Sequence, residues 1–221
     1  MWCVPTLNSE FVARMEEVLT LYQKPLNEQE PVVCVDEKSK QLLKDARRVI
    51  LPKPNRILRR DYEYERNGTR NIFLAVQPKG GRRYVKVTSH RKKPDFARFI
   101  KELANDVYPR ASKLHLVLDN LNTHFEKSFF ETFPKAEAKK LLKRIEFHYT
   151  PKHASWLNMA EIELSILERQ CIKGRIPTEA KLKSKMAVWE KMRNDQKATI
   201  NWKFTVQDAR NVFKYQLTKL K

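Results

Sequence analysis

The sequence predicts an α/β protein, a mixed β-sheet with helices on its faces, and three observations carry that prediction. Apolar runs of strand length alternate with helical periodicity in the order strand, antiparallel strands, helix, strand, helix, strand, helices. The 221 residues are 41% hydrophobic, enough for one sizeable core. Two of the apolar runs, "VVCVDE" and "LHLVLDN", stop abruptly on acids, Asp36 and Asp119. In open α/β sheets ligands sit at the carboxyl ends of strands, so these acids mark an edge where a ligand can bind.

In chain order, apolar residues at Phe11, Val12, Met15, Val18, Leu19 and Tyr22 give a helix over residues 9–23, with Ser9 as N-cap and Pro25 closing it. Residues 31–36 form a short buried strand. Residues 41–60 are basic and broken by Pro52 and Pro54, which reads as a helical turn and a surface loop. From Tyr62 to Val87 the chain alternates strands and turns, with hairpin signals at Asn67-Gly68 and Lys79-Gly80-Gly81. Asp95–Val107 is an amphipathic helix and Leu114–Leu118 a strand. Residues 125–144 are helical, with a break near Pro134, and Ile145–Tyr149 is a strand. A loop "TPKHASWLN" leads into a helix from Met159 to Gln170. Beyond Gly174 two helical stretches, 178–196 and 205–220, complete the chain. The organisation expected is a helical lead-in over 1–30, a core over 31–173 and a C-terminal helical extension over 174–221.

Composition limits the function classes. Lys and Arg number 45 against 26 Asp and Glu, a net charge of +19. That excess points to a polyanion, nucleic acid above all, because neutralising phosphates releases counterions. The basic pairs are spread along the chain rather than gathered beside an apolar span, and no apolar run reaches membrane-spanning length. The N-terminus lacks the pattern of a signal peptide. Three scattered cysteines, Cys3, Cys34 and Cys171, fit neither a disulfide framework nor a cysteine zinc site, and suit a reducing cytoplasm. Only four glycines are present. None builds a phosphate-binding loop, a dinucleotide fingerprint or a nucleophile elbow, so ATPase, Rossmann and serine-hydrolase readings fall away.

Strand-end acids with a third acid nearby suit hard divalent cations, which take oxygen ligands. The third acid belongs to "NMAEIEL". Glu161 and Glu163 are two apart, about 200° around a helix, so only one faces the strand ends. On the residues alone, Asn158 and Glu161 also fit a capping box. Glu163 reads as solvated or as lying beside the site. Glu37 points away from Asp36 across the strand. Asn120 is either a turn residue or a group that orients Asp119. His124 and His153 sit in loops near the acids, as surface residues or as DNA contacts. Trp156 with Leu157 reads as a packing anchor.

"VVCVDEKS", "LHLVLDNLNTH" and "FHYTPKHASWLNMAEIELSIL" resemble, in order and spacing, the three acidic motifs of DDE transposases, most closely the bacterial insertion-sequence 630 family of the mariner-like superfamily. The segments "MWCVPTLNSEF" and "NWKFTVQDARNVF" resemble that family too. The resemblance implies an RNase H-like fold, with Asp36, Asp119 and Glu161 as catalytic acids holding two Mg²⁺ or Mn²⁺ ions. It implies metal-dependent DNA cleavage and strand transfer, transposon ends and target DNA as partners, and a homodimer on DNA. Family members carry helix-turn-helix domains ahead of this core. None precedes "MWCVP", so the alternative is a catalytically silent, DNA-binding remnant.

Overall fold

A computed structural model describes residues 7–55 and 57–214. Cys3, the "MWCVPT" segment and the end of the last helical stretch, 215–220, lie outside the described residues. Five strands form one sheet in the order β3-β2-β1-β4-β5. Strands β1 (Val32–Asp45), β2 (Tyr64–Gln77) and β3 (Arg82–Thr88) are antiparallel neighbours, while β4 (Leu114–Leu118) and β5 (Ile145–Tyr149) run parallel to β1. The β2–β3 hairpin turns where predicted, closed by Gly81 N–H donating to the Gln77 carbonyl.

Two apolar layers sandwich the sheet. On one face α1 (Ser9–Gln23), α5 (Met159–Leu167), α6 (Glu179–Asp195) and α7 (Val206–Phe213) pack over Cys34, Ile72, Leu74, Val76 and Val117. On the other, α2 (Lys93–Glu102), α3 (Lys127–Thr132) and α4 (Lys135–Leu142) cover Val33, Val35, Phe73, Leu116 and Leu118. Strand residues alternate between the faces, so neighbours such as Cys34 and Val35 enter different layers. Burial on both faces explains why β4 is apolar at every position but His115 rather than alternating. Trp156 is the anchor expected of it, packed on Trp202, Phe204 and Phe213.

Three local expectations are corrected. The N-cap of α1 is Asn8, not Ser9, and its side chain accepts from Phe11 N–H at 2.8 Å. Strand β1 does not end at Asp36 but runs on to Asp45, paired with β2 throughout. Its outer half is mostly polar, with Leu42 its one fully buried apolar residue, so no apolar pattern announced it. Asn67-Gly68 is not a hairpin turn. The ladder slips between Gln41↔Thr69 and Leu43↔Arg66, so β2 carries one extra residue there, and Gly68 has φ +85°. That is a β-bulge, which needs the positive φ glycine gives without strain. The reversal itself falls in the segment between β1 and β2, where Ile50 and Arg59 form an isolated bridge. Leu51, Ile57, Leu58 and Tyr62 are exposed around it.

Candidate active site

The parallel ladder between β1 and β4 ends at Cys34↔Val117. Carrying that register two residues further brings Asp36 alongside Asp119. Asp36 has the alternation of Cys34, whose face is covered by α1 and α5, while Asp119 follows the last residue of β4. Adjacent strands are about 4.8 Å apart, so two carboxylates side by side there repel. Asp36 registers this. Burial raises its pKa, the charges of Glu37, Asp119 and Glu161 add to the rise, and the bond its Oδ1 accepts from Glu37 N–H at 2.7 Å only partly offsets them. The result is about 7.

Asn158 brings the third acid in. It is buried, and it N-caps α5 by accepting from Ala160 N–H at 3.1 Å. Its amide also donates to the Val35 carbonyl at 2.9 Å, where the parallel ladder has stopped. The start of α5 is thus tied to β1 one residue before Asp36. The capping box that the sequence allowed stays open: Glu161 donates its backbone N–H to the Asn158 carbonyl at 3.0 Å, but its carboxylate does not return the bond. Glu161 is half-buried in the first turn, near enough to raise the pKa of Asp36. The three carboxylates share an electrostatic field without closing to 4.8 Å of one another; among the described residues only a histidine-containing group does so.

His124 departs most from expectation. Instead of lying on a loop surface it is fully buried, its ring 4.6 Å from that of Phe96. Its Nδ1 donates to Asp119 Oδ1 at 2.7 Å, and its Nε2 stands 3.1 Å from Glu37 Oε2. That second contact is an off-axis ion pair, since neither Glu37 Oε2 nor His124 Nε2 has a directed hydrogen bond among the described residues. Burial alone would lower the histidine's pKa. The bond to Asp119 and the charges of Glu37 and Asp119 outweigh it and lift it to about 9. Burial likewise works against ionised Asp119, but the His124 bond and the Leu121 N–H at 3.2 Å hold its carboxyl below the ordinary value. Asp119 is an oriented carboxylate and Asp36 a strained one.

Asn120 makes contacts that neither of its two readings named. Its Oδ1 accepts from Arg14 Nη1 at 2.6 Å and its amide donates to the Thr150 carbonyl at 2.5 Å, clamping the ends of β4 and β5 to α1. His153 is exposed, in a loop conformation with φ +61°. Glu37 does point to the opposite face, where it meets His124 rather than solvent. Glu163 is neither solvated nor part of the acid group. It is fully buried, its carboxylate bridged by Arg83 at 3.0 and 2.9 Å and by Arg193 at 3.0 and 3.2 Å. Both partners are remote in sequence, one on β3 and one on α6, so no local pattern could have paired them.

A family profile described as DDE superfamily endonuclease matches residues 31–183, more than half of the chain, a range within which Asp36, Asp119 and Glu161 fall. The chain belongs to that family. No curated protein matches it. Among solved structures, this DDE chain is similar to the Mos1 mariner paired-end complex with Mn, at TM-score 0.57 and 13% identity over 90% of its length. It is similar also to the Mos1 transposase paired-end complex with left transposon end, at 0.58 and 13% over 90%. The Mos1 strand transfer complex follows at 0.56 and 13% over 90%. The fold is therefore RNase H-like, as in those catalytic domains. The chain spans about 60% of the length of the Mos1 chains it matches.

Proposed function

We propose that the chain is the catalytic core of a bacterial transposase, cutting and joining DNA by metal-dependent phosphoryl transfer at Asp36, Asp119 and Glu161. The observation that supports this best is that the charges of Asp119 and Glu161 both act on buried Asp36, with the start of α5 tied to β1 by Asn158. The donor set fits Mg²⁺ or Mn²⁺, because all three groups are hard oxygen ligands and Asp36 holds its proton up to about 7, so a cation there relieves the repulsion. When bound, two such ions supply Lewis-acid stabilisation of the phosphate and activation of a water or a 3′-hydroxyl. His124 keeps Asp119 ionised and aimed, and Glu37 keeps His124 charged. No side chain forms a covalent bond to DNA in this scheme.

The net charge of +19 supports duplex DNA, transposon end and target, as substrate, with two copies of the chain acting together. The solved neighbours support the same reading, being Mos1 complexes with Mn, with Mg and with a transposon end. No helix among the described residues is long and apolar enough to cross a membrane. The site of action we propose is the nucleoid in the cytoplasm. The test is nicking of duplex DNA in Mn²⁺, with and without an added helix-turn-helix DNA-binding domain. Nicking in either arm supports the reading; DNA binding without nicking in both arms identifies a silent remnant instead.

A further inference from the structure

A second cluster of ligand-type side chains lies on the α1 face of β4 and β5, apart from the three acids. His115 and Glu146 are cross-strand partners, and His148 lies two residues along β5 on the same face. His115 Nδ1 and His148 Nε2 face each other at 3.0 Å. Glu146 stands over both, with Oε1 3.6 Å from His148 Nε2 and Oε2 3.8 Å from His115 Nδ1. One ligand atom from each residue lies within 4.8 Å of the other two. We infer that His115, Glu146 and His148 form a binding site for one transition-metal ion of the zinc class.

Two nitrogens each about 2.0–2.1 Å from a zinc ion stand roughly 3.0–3.4 Å apart, so the imidazoles already have the spacing of ligands on one ion. Imidazole with carboxylate selects zinc-like ions over Mg²⁺ or Ca²⁺, which prefer all-oxygen sets. The tautomer is set as well. His148 Nδ1–H donates to Glu17 Oε1 of α1 at 2.6 Å, which leaves Nε2 its lone pair. A carboxylate behind the far nitrogen of a ligating histidine is the usual arrangement at metal sites. Both rings are more than nine-tenths buried, while Glu146 is exposed and gives an ion a way in. A simple imidazole–imidazole hydrogen bond accounts for the 3.0 Å contact but not for a carboxylate set beyond bonding distance from both nitrogens. Lys113 Nζ, 3.8 Å from Glu146, is a cation that an ion would have to displace.

His115 is four residues before Asp119 on β4, about 13 Å away at strand rise, so this ion would not take part in the DNA chemistry. It would join β4 to the edge strand β5 and, through Glu17, both to α1. Those are the elements that the Asn120 clamp also ties. The inference does not depend on the proposed reaction.

The test is Zn²⁺ titration of metal-stripped protein by calorimetry, with Co²⁺ absorption as a readout of nitrogen ligation. The expected result is one tight site per chain, of micromolar affinity or tighter and distinct from any binding at the three acids, with a rise in Tm and a visible Co²⁺ spectrum of nitrogen ligation. Glu146→Gln, on the exposed ligand, should weaken binding at least tenfold without disturbing the fold, and His148→Gln should abolish it. Asp119→Asn should leave it unchanged. Absence of binding, binding unaffected by Glu146→Gln and His148→Gln, or binding lost in Asp119→Asn would each overturn the inference.

Discussion

At the residue scale, His124 shows how an environment sets a function. Its pKa stands at about 9 against an ordinary 6.5, so the folded state binds its proton more tightly than the unfolded chain does. Its contribution to stability is therefore fully present below about pH 6.5 and lost as pH rises through about 9. Melting temperatures of metal-free protein across that range should fall, and His124→Gln should remove most of the fall. A slope unchanged by His124→Gln would mean that another group controls it. Little of this was legible beforehand. "DNLNTH" places Asp119 and His124 on one loop, but burial of the ring depends on Phe96 and on Glu37, brought in from α2 and β1. Asp36 and Asp119 were legible because an apolar run stopping on an acid is a local pattern. The role of Asn120 was not, since its partners Arg14 and Thr150 are distant in sequence.

At the element scale, α5 carries the account. Its start is pinned to β1 by Asn158, and its next turn is held by Glu163 between Arg83 and Arg193. Two anchors on a helix of nine residues fix its rotation, and with it the direction of Glu161. The sequence did show that Glu161 and Glu163 cannot share a face. It did not show that the second acid would meet two arginines. Removing one side of a buried ion pair leaves the other charge stranded. Glu163→Gln should therefore cost about 3–5 kcal/mol in chemical denaturation. Combining it with Arg83→Met and Arg193→Met should recover most of that, because no charge is then left behind. A loss below about 1 kcal/mol for Glu163→Gln would show that the network does not hold α5. The outer half of β1 and the bulge at Gly68 escaped the sequence reading for another reason. A mostly polar ribbon has no hydrophobic period, and Asn-Gly serves a bulge as readily as a turn.

At the scale of the whole molecule, the chain order of strands and helices follows from periodicity, and the mixed sheet between helices matches what the family resemblance implied. Under the proposed function, the charge of +19 sets how the chain would meet DNA. Affinity for random duplex should fall steeply with salt. If six or more phosphates are contacted, the loss is about 10³-fold or more between 50 and 200 mM. The slope should be the same for Asp119→Ala, because it counts phosphates and not metal ligands. A flat salt dependence would remove DNA as the reason for the charge.

The central claim is that Asp36, Asp119 and Glu161 act as one catalytic group. It is tested most directly by Mn²⁺-dependent nicking of duplex DNA by the wild-type chain and by Asp36→Ala, Asp119→Ala and Glu161→Ala, each first shown to be folded and to bind DNA with wild-type salt dependence. The account predicts that each substitution alone lowers the nicking rate by about 10³-fold or more, and that pairs of substitutions lower it little further, as expected of residues that act as a unit. Wild-type nicking by any one of the three variants would contradict it.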